Sequence, residues 1–140
     1  MKKGIIGVLL LFIHVLAIVI NFNSLLQGSP ANTLNSIASL CYFVFWIWFL
    51  STVEQSGSYQ EMNFILGFWG IVLITALLAL SINMFDLDFP LVIPFAVLFL
   101  TPAYGIRIMQ ISNEAALTII AVIALFFSIY CLLRKRKCKR

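Results

Sequence analysis

The chain has 140 residues, 63% of them hydrophobic and 10% charged, with a formal net charge of +4. Ordinary soluble domains carry about a quarter charged residues, so this composition excludes a water-soluble fold and points to one integral membrane domain, residues 1–133, ahead of a basic tail, 134–140. The positive balance is no nucleic-acid footprint, because the basic residues are split between Lys2 and Lys3 at one end and a cluster at the other, with only Arg107 between.

In lipid every backbone N–H and C=O must be satisfied within a helix or a closed barrel. A barrel needs alternating segments of roughly ten residues, whereas the apolar runs here are continuous. The expected fold is therefore all-α, a polytopic transmembrane helical bundle with five hydrophobic segments at about 4–20, 36–52, 63–82, 90–106 and 115–133.

The first run follows Met1-Lys2-Lys3 and imitates a signal peptide. It is longer than an apolar signal core of about 7 to 15 residues, and no A-x-A-like site follows, so a retained helix is expected. Residues 21–35 hold Gly28, Pro30 and four Asn without a charge, and read as a polar loop. The second run is crowded with Tyr42, Phe43, Phe45, Trp46, Trp48 and Phe49. A short connection, 53–62, carries Glu54 and Glu61. The third run, about 20 residues at 1.5 Å each, matches the roughly 30 Å of a hydrocarbon core.

Asp86 and Asp88 mark a tight acidic connection. The fourth run contains Pro94 and Pro102, each expected to remove a helix hydrogen bond, and is closed by Arg107. The fifth leads directly into Arg134, Lys135, Arg136, Lys137, Lys139 and Arg140.

Five crossings put two basic termini on opposite sides, against the tendency of Lys and Arg to stay cytoplasmic. The six-residue cluster outweighs Lys2 and Lys3, so the C-terminus is expected in the cytoplasm and the protein in the cell membrane. The alternative is four spans plus a re-entrant or interfacial segment at 90–106, which places both termini inside. The prolines favour that alternative; the length and apolarity of 90–106 favour a fifth crossing.

His14 is the one ionisable side chain well inside a run, and such groups are candidate functional sites. Gly7, His14 and Asn21, seven apart, share a helical face with Ala17 beside them. This small and polar stripe suits close helix approach and interhelical hydrogen bonds. Gly67 and Gly70, with Asn63, Ile74, Leu77 and Ser81, form a second face read as helix packing, internal or between protomers. Trp46, Trp48, Tyr59 and Trp69 gather toward one leaflet and read as an aromatic belt.

No metal or cofactor site is expected. His14 stands without companion ligands at spacing, Asp86 and Asp88 are too few for calcium, and Cys41, Cys131 and Cys138 form no CxxC pair. No nucleophile elbow, H-E-x-x-H or phosphate-cradling loop occurs, so no enzymatic activity is expected. The tail is read as an orientation anchor drawn to anionic lipid headgroups. The leading functional expectation is a non-enzymatic accessory, regulatory or immunity-type protein that contacts a membrane partner through its helices. The alternative is a small oligomeric transporter or channel lined by Gly7, His14 and Asn21.

Overall fold

The computed structural model describes residues 2–109 and 111–138, and the side chains of 6–108 and 111–135. Among them every regular element is helical: α1 (Lys2–Leu26), α2 (Thr33–Ser56), α3 (Tyr59–Phe85), the short α4 (Val92–Phe99), a 3-10 segment (Thr101–Met109) and α5 (Asn113–Cys138). Four of these, α1, α2, α3 and α5, are long and apolar enough to cross a membrane.

Local chemistry sets their ends. Asn32 caps α2 in a reciprocal box with Asn35, each side chain accepting the other's backbone N–H at 2.9 Å, which satisfies two of the helix's orphan donors. Gly57 closes α2 at φ 62°, a left-handed position that glycine takes without steric cost. Ser58 then caps α3 by accepting from the Glu61 N–H, so α2 and α3 are joined through two residues. Asp86 ends α3 at φ 49°.

The helices are longer than the apolar runs. α1 continues through Asn21, and α2 already includes Asn35 and runs on to Ser56, so the polar connections read at 21–35 and 53–62 shrink to 27–32 and 57–58. Within these helices the Asn21 and Asn35 side chains bond to each other across the α1–α2 seam.

The tightest seam is between antiparallel α3 and α5. Its inward residues on α3 are Met62, Ile65, Trp69, Val72, Ala76 and Ala79, and on α5 Leu117, Ile120, Ala124, Phe127 and Cys131. The alternating three-and-four spacing is that of a coiled-coil seam. Ala76 and Ala124 are fully buried and let the backbones approach. Trp69 stacks on Phe127 with ring centroids 4.3 Å apart, Asn113 donates to Asn83 at one end, and Lys135 sits over Tyr59 at the other.

The outward surfaces are apolar. On α1 alone, Val8, Phe12, Val15 and Val19 are exposed along one side, a pattern that suits a helix bathed in lipid.

The 90–106 run is not one long helix. α4 has eight residues, about 12 Å at 1.5 Å each, short of the roughly 30 Å hydrocarbon core. Val92 and Phe95 share a groove with Ile71 and Thr75 of α3, and Phe99 meets Phe68. The chain then turns at Leu100, and the 3-10 segment packs on α2 and α1. Pro94 lies in the first turn of α4, where an N–H has no intrahelical partner, so it removes no helix bond. Pro102 stands where α-helix gives way to 3-10.

Candidate functional site

Polar residues of α1 and α2 converge on the 3-10 segment. Asn21, wholly buried on α1, donates from Nδ2 to Ser39 Oγ at 3.2 Å and to the Pro102 carbonyl at 3.3 Å. Its Oδ1 accepts from Asn35 Nδ2 at 2.9 Å. Asn35 also donates to the Ile20 carbonyl, while its Oδ1 accepts from Ser24 Oγ and the Asn32 N–H. Ser39 Oγ donates to the Pro102 carbonyl at 2.7 Å and accepts from the Gly105 N–H at 2.9 Å. Ser36 Oγ donates to the Gly105 carbonyl at 2.8 Å.

Counted against their donors and acceptors, Asn35 and Ser39 are saturated, and both Asn21 amide hydrogens are used. Buried polar groups are tolerated in this state, because an unmet donor in a low-dielectric interior is costly. The arrangement is a lock: α1, α2 and the 3-10 segment are tied by side chains to backbone atoms that no regular helix satisfies. Gly105 fits only as glycine, since a Cβ there would collide with the Asn35 carbonyl and with Ser39 Oγ.

His14 belongs to the same system, one level deeper. Its Nε2 lies 3.0 Å from the Leu98 carbonyl, an acceptor, so Nε2 carries the proton and donates. Leu98 is four residues before Pro102, the position whose amide would serve that carbonyl in a continuing α-helix. His14 thus supplies from α1 the donor that Pro102 lacks. Its ring is flanked by Tyr42 at 5.6 Å and Phe68 at 5.5 Å, and Nδ1 is buried without a partner.

The stripe read from the sequence divides here. His14 is partly buried and Ala17 and Asn21 are buried, whereas Gly7 is exposed with nothing within 4 Å of an added Cβ. The second small face turns away from the bundle: Gly67, Ile74, Leu77 and Ser81 are exposed, and both Gly67 and Gly70 have open space around them. The packed side of α3 is the opposite one. Trp46 and Trp69, each 1% exposed, are core residues and not belt residues, since they pack on each other with centroids 5.4 Å apart. Trp48 and Tyr59 are exposed.

In the tail, Arg134 Nη2 pairs with Glu54 at 2.7 Å and Lys135 lies over Tyr59; Tyr130 also donates to Glu54. These contacts tie the ends of α2, α3 and α5 together. The Arg136 and Lys137 side chains, with Lys139 and Arg140, lie outside the described residues. Among the described residues no group of three or more His, Cys, Asp or Glu is placed to hold a metal ion.

No local pattern marks this lock, since Ser36, Ser39 and Asn21 stand 63 to 81 residues before the backbone groups of Pro102 and Gly105 that they meet. Only the fold brings Pro102 and Gly105 to them. Compared with family models, curated proteins and solved structures, the chain matches none.

Proposed function

We propose that this is a multi-pass protein of the cell membrane with four spans and a re-entrant segment, acting as a non-enzymatic accessory or regulatory subunit through its lipid-facing helix surfaces. The observation that carries the functional part is where the intramembrane hydrogen bonds go. Asn21, Asn35, Ser39 and His14 all bond to the chain's own helices and 3-10 segment. That use of the stripe favours a rigid body presenting apolar faces over an oligomeric transporter in which His14 and Asn21 line a path.

The re-entrant reading rests on contacts at one end of the bundle. The 90–109 segment follows the C-terminal end of α3, reaches the mid-bundle level of His14 at Leu98, and returns so that Tyr104 donates to Ser29 in the α1–α2 loop at 2.7 Å. Irregular backbone at membrane depth is tolerated where it is buried in protein, and the lock provides that burial. With four crossings Lys2, Lys3 and the six basic tail residues fall on one side, cytoplasmic by the positive-inside rule, and Arg107 stands alone on the other. Labelling of Cys138 and of an introduced Lys2→Cys in intact cells checks this: both are expected to be protected from an impermeant reagent, and labelling of one alone would restore five crossings.

The functional test is purification of the tagged, natively expressed protein in mild detergent. A membrane protein is expected to co-purify in fixed stoichiometry and to be lost when Phe12 and Val15 on the outer face of α1 are both changed to Ala. Recovery of the chain alone, across several mild detergents, would overturn the reading.

A further inference from the structure

Beside the lock, the ends of α1, α3 and α5 and the irregular segment enclose a cavity of about 160 Å³. Its walls are apolar, including Ala79, Ala96, Leu100 and Ile120, while Asn83, Asn113 and Arg107 stand at its rim. Along α5 the lining runs from Asn113 to Ile120, about 10 Å at 1.5 Å per residue. A dry cavity of about 150 Å³ holds one benzene molecule, so this one takes a chain segment of about six carbons.

Arg107 is the feature that selects an occupant. It is held in place by one hydrogen bond, Nη1 to Tyr104 Oη at 2.6 Å, and by lying over the Tyr104 ring. Its Nε is buried without an acceptor, and no described carboxylate lies within ion-pair distance of it. Glu114, the acid on the facing helix, is turned to its own backbone N–H and to Ser112, and it interacts with the Arg107 charge only through space, as the smallest influence on its carboxyl. A guanidinium offers five donors in a planar fork suited to phosphate. Here most of that fork is unspent, at the mouth of an apolar slot, near the end of the spanning helices where lipid phosphates lie.

We propose that this cavity is a binding site for one anionic phospholipid of the leaflet at this end of the bundle, with the phosphate on Arg107 and the first part of one acyl chain in the cavity. Asn83 and Asn113, which already bond to each other, form the polar rim beside the headgroup. The rest of the acyl chain runs on into the bilayer.

The test uses the full-length protein in a neutral detergent, titrated with dioleoyl phosphatidylglycerol and followed by native mass spectrometry. The basic tail also attracts this lipid, so the deciding comparison is between wild type and variants that all retain the tail. Arg107→Gln is expected to remove one tightly bound lipid, weakening it at least tenfold. Ala96→Leu fills the cavity with every charge left in place, and is expected to do the same. Should Arg107→Gln fail to fold, Ala96→Leu and Arg107→Lys, expected to retain part of the binding, decide the matter. Unchanged lipid occupancy in Ala96→Leu would overturn the proposal, as would displacement of the lipid by millimolar inorganic phosphate, which would make the site one for a free anion.

Discussion

The seam between α3 and α5 closes on carbon except for one asparagine pair at its end, while the seam joining α1, α2 and the 3-10 segment closes on hydrogen bonds. In the first, two regular helices satisfy their own backbones and meet through Trp69, Ala76, Ala124 and Phe127. Lipid tails are as apolar as leucine, so this seam gains little from burial as such and depends on close packing. In the second, one partner is irregular: free carbonyls and amides at Pro102 and Gly105 of the 3-10 segment, and the Leu98 carbonyl near the end of α4, each meet a side chain from α1 or α2. The difference explains where His14, Asn21, Ser36 and Ser39 sit: each bonds to backbone that no regular helix satisfies. Thr75 on α3 and Ser128 on α5 are buried too, but on regular helices, and Ser128 bonds back to the Ala124 carbonyl.

The sharpest way to break this comparison is at glycine. Gly105→Ala forces a methyl into the Asn35 carbonyl and Ser39 Oγ and disturbs the two bonds that Gly105 makes. Overpacking costs typically 1–3 kcal/mol, and with the disturbed bonds the loss is expected to be about 3 kcal/mol. Gly70→Ala on α3 meets nothing within 4 Å and is expected to stay within about 0.5 kcal/mol of wild type. Unfolding in the same detergent, read by steric trapping or thermal melting, compares the two. Equal effects would mean that the 3-10 segment is not held as described.

The apolar seam is probed by Phe127→Ala, which removes the ring stacked on Trp69. In lipid the transfer part of the penalty largely drops out and the void remains. At about 24 cal/mol per Å³, a void on the order of 100 Å³ costs roughly 2 kcal/mol. The loss is expected as lowered stability with the Gly105–Ser39 side unaffected, visible as unchanged hydrogen exchange in the Thr101–Gly105 stretch. Faster exchange there would show that the two seams are one cooperative unit.

How much of this the sequence disclosed follows from the same contrast. Membrane residence, helical class and the four long helices were legible because continuous apolar runs have one solution in lipid. The inward turn of His14, Ala17 and Asn21 was legible because polar residues at seven-residue spacing stand out against leucine and valine. The packed side of α3 was not. On a helix apolar all round, Gly67 and Gly70 mark a face that is largely exposed in the single chain, and the signal for the internally packed side is the three-and-four spacing from Met62 to Ala79 matched by Leu117 to Cys131. Trp46 and Trp69 were assigned to the interface by residue type, although their neighbours make them core. The lock depends on contacts between residues 63 to 81 positions apart, and no local pattern encodes that distance.

The smallest expected effect is also the most specific, because it asks whether His14 is present for Pro102. If the imidazole replaces a missing backbone donor, its value depends on the proline. His14→Phe keeps an aromatic ring between Tyr42 and Phe68 but leaves the Leu98 carbonyl without its donor; intramembrane side-chain bonds average about 0.6 kcal/mol, with a maximum near 1.7. Pro102→Ala restores an amide four residues after Leu98, at the cost of a small void where the buried proline ring was. If α4 then continues through this position, the carbonyl has a backbone partner and His14→Phe is expected to cost nothing measurable. The double-mutant cycle therefore carries a coupling of about 0.6 to 1.7 kcal/mol, in which the void, common to both sides, cancels. A coupling of zero would mean that His14 stabilises the bundle through its ring contacts alone, and the contrast between the two seams would then rest on Asn21, Ser39 and Gly105.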